Sequence, residues 1–163
     1  MNKKSMLASL FAEGFALHQA GRLDDAEKIY FKILEMQPDH FDSLHWLGVS
    51  FYQRGNHAEA VSQIDFALKR DPNNVFALNN RGIALYELKR FEEALANYDH
   101  ALTLRPDFAA TLSNRGLTLH ELKRFDEALA SYDRALALRP DDALALSNCG
   151  PALHELKRTP LTL

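Results

Sequence analysis

The chain's seven histidines, single cysteine and 22 Asp and Glu residues are the side chains best suited to bind metal or to serve acid–base and thiol chemistry. Their spacing assembles neither. His18, His120 and His154 lie in separate stretches, and no His-Glu-x-x-His or Cys-x-x-Cys pattern occurs. Rings carried on successive packed helix layers stand about 10 Å apart, too far to share an ion ligated at about 2 Å. No metal site and no cofactor is therefore expected. The glycines fall at helix-packing and turn positions, Gly21 and Gly55 among the latter, and form no phosphate-cradling loop. Carboxylates gather at helix starts and on exposed faces, the usual solvated arrangement. The chain is read as non-enzymatic.

Recognition chemistry is better represented. Asn80, Asn114 and Asn148 recur at one interval. Each amide offers an acceptor and two donors, so such a row can pair with the backbone of an extended peptide whatever its side chains. The same amides could equally bridge neighbouring helices. A second row, His18, Tyr52, Tyr86, His120 and His154, consists of flat rings that both stack and hydrogen-bond. Two further rows, Phe11, His45, Asn79, Ser113, Ser147 and Phe15, Val49, Ile83, Leu117, Pro151, are apolar early and more polar late.

The elements that carry these rows follow from a period of 34 residues. Glycine recurs at Gly14, Gly48, Gly82, Gly116 and Gly150, alanine at Ala26, Ala60, Ala94 and Ala128, and proline at Pro38, Pro72, Pro106 and Pro140. Each repeat contains two stretches of helical apolar spacing, as in Leu78, Ile83, Leu85, Leu88 and then Phe91, Ala94, Leu95, Tyr98, Ala101, Leu102. Gly82 and Ala94 let the paired helices approach, Tyr98 fills the space beside them, and Pro106 ends the second helix. Acidic pairs such as Glu92-Glu93 open second helices, and basic pairs such as Lys89-Arg90 close first ones, both in keeping with the helix dipole. Four full repeats are placed at 7–40, 41–74, 75–108 and 109–142 within a single domain, 1–163. The third and fourth are identical at about two-thirds of positions, as recent duplicates would be.

A fifth repeat begins at Ala143 and continues to residue 158. It departs from the pattern at Pro151, which deprives the Ser147 carbonyl of its partner and is expected to kink or break the helix at a cost of about 3 kcal/mol. It departs again at 159–163, which cannot make a second helix. Residues 143–158 are read as a terminal capping helix. Alternatively the array was cut short, leaving Leu146, Ala152, Leu153 and Leu156 uncovered and open to self-association into a homo-oligomer.

These residues resemble the tetratricopeptide repeat family, whose pattern sets Gly at position 8, Ala at 20, a large residue at 24, Ala at 27 and Pro at 32. Position 24 reads Tyr30, Ile64, Tyr98 and Tyr132; position 27 reads Ile33, Ala67, Ala101 and Ala135, with Ile33 the departure. The resemblance implies an all-α, right-handed superhelical solenoid of antiparallel helix pairs, four full repeats plus a terminal helix. It also implies that positions 2, 5, 9 and 12 of the first helices line a concave groove, with position 6 close behind. The peptide-binding residues it implies are Phe11, Phe15, His18, His45, Val49, Tyr52, Asn79, Asn80, Ile83, Tyr86, Ser113, Asn114, Leu117, His120 and Asn148.

The implied function is a protein-interaction scaffold holding a peptide or partner protein. The phrases Leu-Asn-Asn-Arg-Gly and Leu-Ser-Asn-Arg-Gly also look like the repeat region of bacterial O-GlcNAc-transferase-like proteins, which implies a substrate-recognition segment of a glycosyltransferase. The family's grip on acidic chaperone C-termini is not implied, because Phe11, Phe76 and Asn80 stand where Lys and Arg are needed. Arg81 and Arg115 are expected to pair with nearby carboxylates or cover apolar surface.

The composition narrows the partner. A formal net charge of -3 with both signs scattered gives no basic stripe for nucleic acid. No apolar run reaches membrane-spanning length. The opening residues, Lys3 and Lys4 before an apolar stretch, resemble a signal peptide, but they fit the first repeat in register and are read as helix. Cys149 alone forms no internal disulfide, so the fold rests on packing, and a cytoplasmic location is expected.

Overall fold

Helical boundaries in this chain are set by residues that cap, turn or refuse to continue. The computed structural model describes residues 2–158, and among them nine helices and no strand form, so the all-α class read from the sequence holds. The expectation about residues 159–163 lies outside the described residues. The chain divides into two compact units, Met1–Ala84 and Leu85–Leu163.

The first unit holds α1 (Lys3–Gln19), α2 (Leu23–Met36), α3 (Phe41–Gln53), α4 (His57–Arg70) and most of α5 (Val75–Glu87). Side chains cap its first helices. Asn2 accepts from the Ser5 N–H at 2.9 Å, His40 Nδ1 from the Ser43 N–H at 3.2 Å, and Asn74 from the Ala77 N–H at 3.1 Å. Each turn into a second helix runs through a glycine with positive φ, Gly21 at 74° and Gly55 at 79°. The second helices stop at Gln37 and Asp71, whose extended backbone is what a following proline enforces.

Close helix approach is visible at the glycines. A Cβ on Gly48 would stand 2.6 Å from Ile64 Cγ1, and one on Gly14 would stand 3.0 Å from both Ile29 Cγ2 and Tyr30 Cε1. Successive repeats are clipped by charge: Arg54 meets Asp24 and, at 2.9 Å, Glu27, which also accepts from Ser50 Oγ at 2.5 Å. Arg81 Nε donates to Asp65 at 2.5 Å, as expected of this arginine.

The second unit holds the end of α5, α6 (Phe91–Leu104), α7 (Ala109–Glu121), α8 (Phe125–Leu138) and α9 (Ala143–Arg158). Its core gathers Leu112, Leu119, Ala128, Tyr132 and Ala135 with Ala145 and Ala152 of α9. A Cβ on Gly116 would meet the Tyr132 ring at 2.5 Å. The clip recurs here, Arg115 Nε donating to Asp99 at 2.6 Å and Nη1 to Ser131 Oγ at 2.6 Å. One repeat later, Cys149 occupies the arginine's place and Asp133 is exposed.

Two expectations are corrected. The basic pairs do not close the first helices. Lys89 and Lys123 sit in the turns, each at φ 59°, where the first two repeats carry glycine. Arg90 and Arg124 begin the second helices and bind Glu93 and Glu127 through two hydrogen bonds each, 2.7 to 2.8 Å long. Nor does Pro151 break α9, which runs unbroken from Ala143 to Arg158. Burial explains this: Ala145 before the proline and Ala152 after it are both fully buried in one core, so packing holds the two halves in one helix.

Candidate functional site

Four of the expected binding residues converge in the first unit. Val49 and Tyr52 from α3 and Asn80 and Ile83 from α5 line a cavity of about 180 Å³ together with Gln53 and Ile64. No charged side chain lines it. Position 24 explains why the space exists here. Tyr30 fills the corresponding place in the preceding repeat, whereas Ile64 puts a short branched alkyl group where the phenol ring would lie. Gln53 and Ile64 were missed as site residues, although Ile64 stands out in the sequence as the one non-tyrosine at its repeat position.

Asn80 is held in place rather than left loose. Its Nδ2 lies 2.9 Å from His45 Nε2, and its Oδ1 accepts from Asn79 Nδ2 at 3.4 Å. Burial pushes the His45 imidazole down to about 4, against the pull of the Asp42 carboxylate. The ring is therefore neutral at pH 7 and its Nε2 accepts from the amide, which places the ring proton on Nδ1. An asparagine amide has two N–H groups and two lone pairs. After these two bonds it retains one of each, the pair a peptide unit requires.

Other expected residues are buried instead of lining a surface. His45 and Asn79 are 6% exposed, Ser113 1% and His18 6%. His45 packs against Phe41 and Trp46, and His18 lies edge-on to Trp46 at 5.1 Å. Ser113 turns its hydroxyl back to the Ala109 carbonyl at 3.2 Å. Position 5 thus belongs to the packing between first helices, which polar residue types concealed. Phe11 and Phe15 remain half-buried and stack on each other at 6.1 Å. Phe11 also lines a second cavity, of about 680 Å³, with Lys3, Lys4, Leu7, Ala8, Gln37, His40 and Asp42.

In the second unit Tyr86, Asn114, Leu117, His120 and Asn148 are half-buried. Tyr86 donates to Glu121 at 3.4 Å, and burial with that carboxylate pushes its hydroxyl up to about 12. Three of the rings at position 12 rest on the first residue of the following helix. Tyr52 on His57, Tyr86 on Phe91 and His120 on Phe125 all have centroids 5.3 Å apart. Asn148 donates to the Leu144 carbonyl of its own helix at 2.9 Å, unlike Asn80, so the asparagines do not act as one uniform row. Among the described residues no group of three or more His, Cys, Asp or Glu side chains could hold a metal ion, and no helix is long and apolar enough to cross a membrane.

Family models described as tetratricopeptide repeat match residues 73–141 and 7–29. The chain belongs to the tetratricopeptide repeat family. A further model, described as anaphase-promoting complex, cyclosome, subunit 3, matches residues 19–101 of this repeat protein. No curated protein matches it. Among solved structures, Pseudomonas aeruginosa PilF is 26% identical over 95% of this chain and 71% of its own, with a TM-score of 0.85. MamA is 20% identical over 93% of this chain and 82% of its own, with a TM-score of 0.83, a likeness of fold. The first tetratricopeptide domain of Spaghetti (RPAP3), solved bound to the HSP90 peptide SRMEEVD, is 26% identical over 70% of this chain and 90% of its own, with a TM-score of 0.68.

Proposed function

We propose that this tetratricopeptide chain is a docking module for an extended segment of a partner protein, one large side chain of which enters the pocket between α3 and α5. The observation that carries this reading is the uncharged cavity of about 180 Å³ lined by Tyr52, Gln53 and Asn80 together with three aliphatic side chains. Small-molecule sites usually measure about 300–1,000 Å³, so this one suits a single side chain better than a metabolite. Its lining by Val49, Ile64 and Ile83 favours an apolar anchor, and the free half of the Asn80 amide is available to the adjoining peptide bond. That a repeat domain 26% identical to this chain was solved with a peptide bound supports the same mode of use.

Panning a random peptide library on the chain tests the proposal. Recovered peptides should lose affinity tenfold or more, by about 1.4 kcal/mol or beyond, on Tyr52→Ala and Ile83→Ser, with helicity retained. Peptides that bind both variants as well as the parent would remove the pocket from the function.

A second reading is self-association through α9, favoured by Leu146 and Leu153, which are 55% and 42% exposed. Light scattering at rising concentration should then report a dimer that Leu146→Lys with Leu153→Lys dissolves. A monomer throughout would exclude it.

A further inference from the structure

The two cavities of the first unit share α3. Asp42, in its first turn, lines the larger one, and Val49, Tyr52 and Gln53, in its last turns, line the smaller. Residues seven and eleven apart on an α-helix fall within about 20° of one line, so Asp42, Val49 and Gln53 point to the same side of α3. At 1.5 Å per residue they are spread over about 10–16 Å. A chain in extended conformation covers that distance in roughly three to five residues. One peptide lying along this face therefore passes both cavities.

Their chemistry differs. The smaller is uncharged. The larger joins an apolar wall of Leu7, Ala8 and Phe11 to the ammonium groups of Lys3 and Lys4. Among the described residues neither lysine has an ion-pair partner. Asp42 is the single carboxylate on the lining and offsets one of the two charges, which leaves the cavity cationic. The arginines between repeats, by contrast, are matched to carboxylates, as Arg54, Arg81 and Arg115 are.

We infer that the segment bound by the pocket is bipartite, with a large uncharged apolar side chain seated between α3 and α5 and an acidic residue three to five positions away held by Lys3 and Lys4. This rests on the pocket reading above and adds the class of ligand: an extended acidic-apolar peptide, distinguished from basic or neutral ones by the N-terminal end of the first unit. The apolar anchor supplies most of the affinity, and the solvent-exposed lysines supply discrimination.

The probes are end-capped, fluorescein-labelled nonapeptides of Ser and Ala with a central Leu and, at the two positions four residues away on either side, Glu and Glu, Ser and Ser, or Lys and Lys (Glu-Glu, Ser-Ser and Lys-Lys). End-capping removes the terminal carboxylate as a competing anion. On the parent chain Glu-Glu should bind about tenfold tighter than Ser-Ser, and Lys-Lys more weakly than both. The double variant Lys3→Glu with Lys4→Glu should reverse that order while leaving Ser-Ser unchanged. An order that survives the double variant, or Glu-Glu binding no tighter than Ser-Ser on the parent, overturns the inference. The pocket reading still stands in that case if Tyr52→Ala weakens all three peptides. If Tyr52→Ala and Ile83→Ser leave every peptide unaffected, or if no peptide binds, pocket and inference fall together.

Discussion

Replacing Gly116 by alanine sets two known effects against each other. In the middle of a helix, Gly→Ala favours folding by about 1 kcal/mol through backbone entropy. Here the added Cβ would lie 2.5, 2.7 and 2.9 Å from three atoms of the Tyr132 ring, where ordinary contact begins at 3.4 Å, so the ring or the helix must move by about 0.9 Å. Tyr132 is fully buried among Leu112, Leu119 and Ala135 and has no free space to take up. Overpacking of this kind costs about 1–3 kcal/mol, and the rigid ring places it at the upper end. The net expectation is a loss of about 2 kcal/mol. Gly48→Ala should behave similarly, with 2.6 Å to Ile64 and 3.1 Å to the Ala60 carbonyl. Gly14→Ala begins at 3.0 Å, so the propensity gain should nearly cancel the contact. Urea unfolding followed by circular dichroism ranks the three variants. Gly116→Ala at or above parental stability, or Gly14→Ala as damaging as Gly116→Ala, would refute the packing account.

Three further outcomes follow from single positions. Lys89→Gly and Lys123→Gly should each stabilise the chain by about 1 kcal/mol, because both lysines hold φ 59° where Gly21 and Gly55 adopt positive φ freely; urea midpoints measure it. Cys149→Arg should restore a clip to Asp133 and raise amide protection in α9 by about 0.5 kcal/mol, a gain that Asp133→Asn removes. Asp142 caps α9, accepting from the Ala145 N–H at 3.0 Å and from Arg139. Burial, the largest influence, would raise its pKa, but the hydrogen bonds from Ala145 and Arg139 hold it below the ordinary value. A carboxyl lowered on folding contributes stability above the unfolded pKa of about 4 and loses it as the pH falls through the folded value. Amide exchange in α9 should accelerate over that acid range in the parent and not in Asp142→Asn.

The architecture was open to reading because its determinants are local and repeated. Glycine at Gly48 and Gly116, alanine at Ala60 and Ala128 and proline at Pro72 and Pro140 each impose one geometric condition, and the period repeats it. Pocket residues at positions 9 and 12 were legible for the same reason. What escaped was set by neighbours distant in sequence. His45 looks like a surface residue until Phe41, Trp46 and Asn80 enclose it, and Pro151 looks like a break until Ala145 and Ala152 are seen in one core. The site's opening at Ile64 was written in the chain as a departure from tyrosine, and departures carry meaning only once the volume around them is known.

The arginine clips bear on how such a chain lengthens. The repeat 75–108 carries both halves of the junction, Arg81 facing back to Asp65 and Asp99 forward to Arg115. Copying residues 75–108 in tandem would give each new arginine an aspartate and each new aspartate an arginine. Growth by duplication therefore strands no ion, whereas a copy that carries Cys149 in the arginine's place leaves Asp133 exposed without that clip.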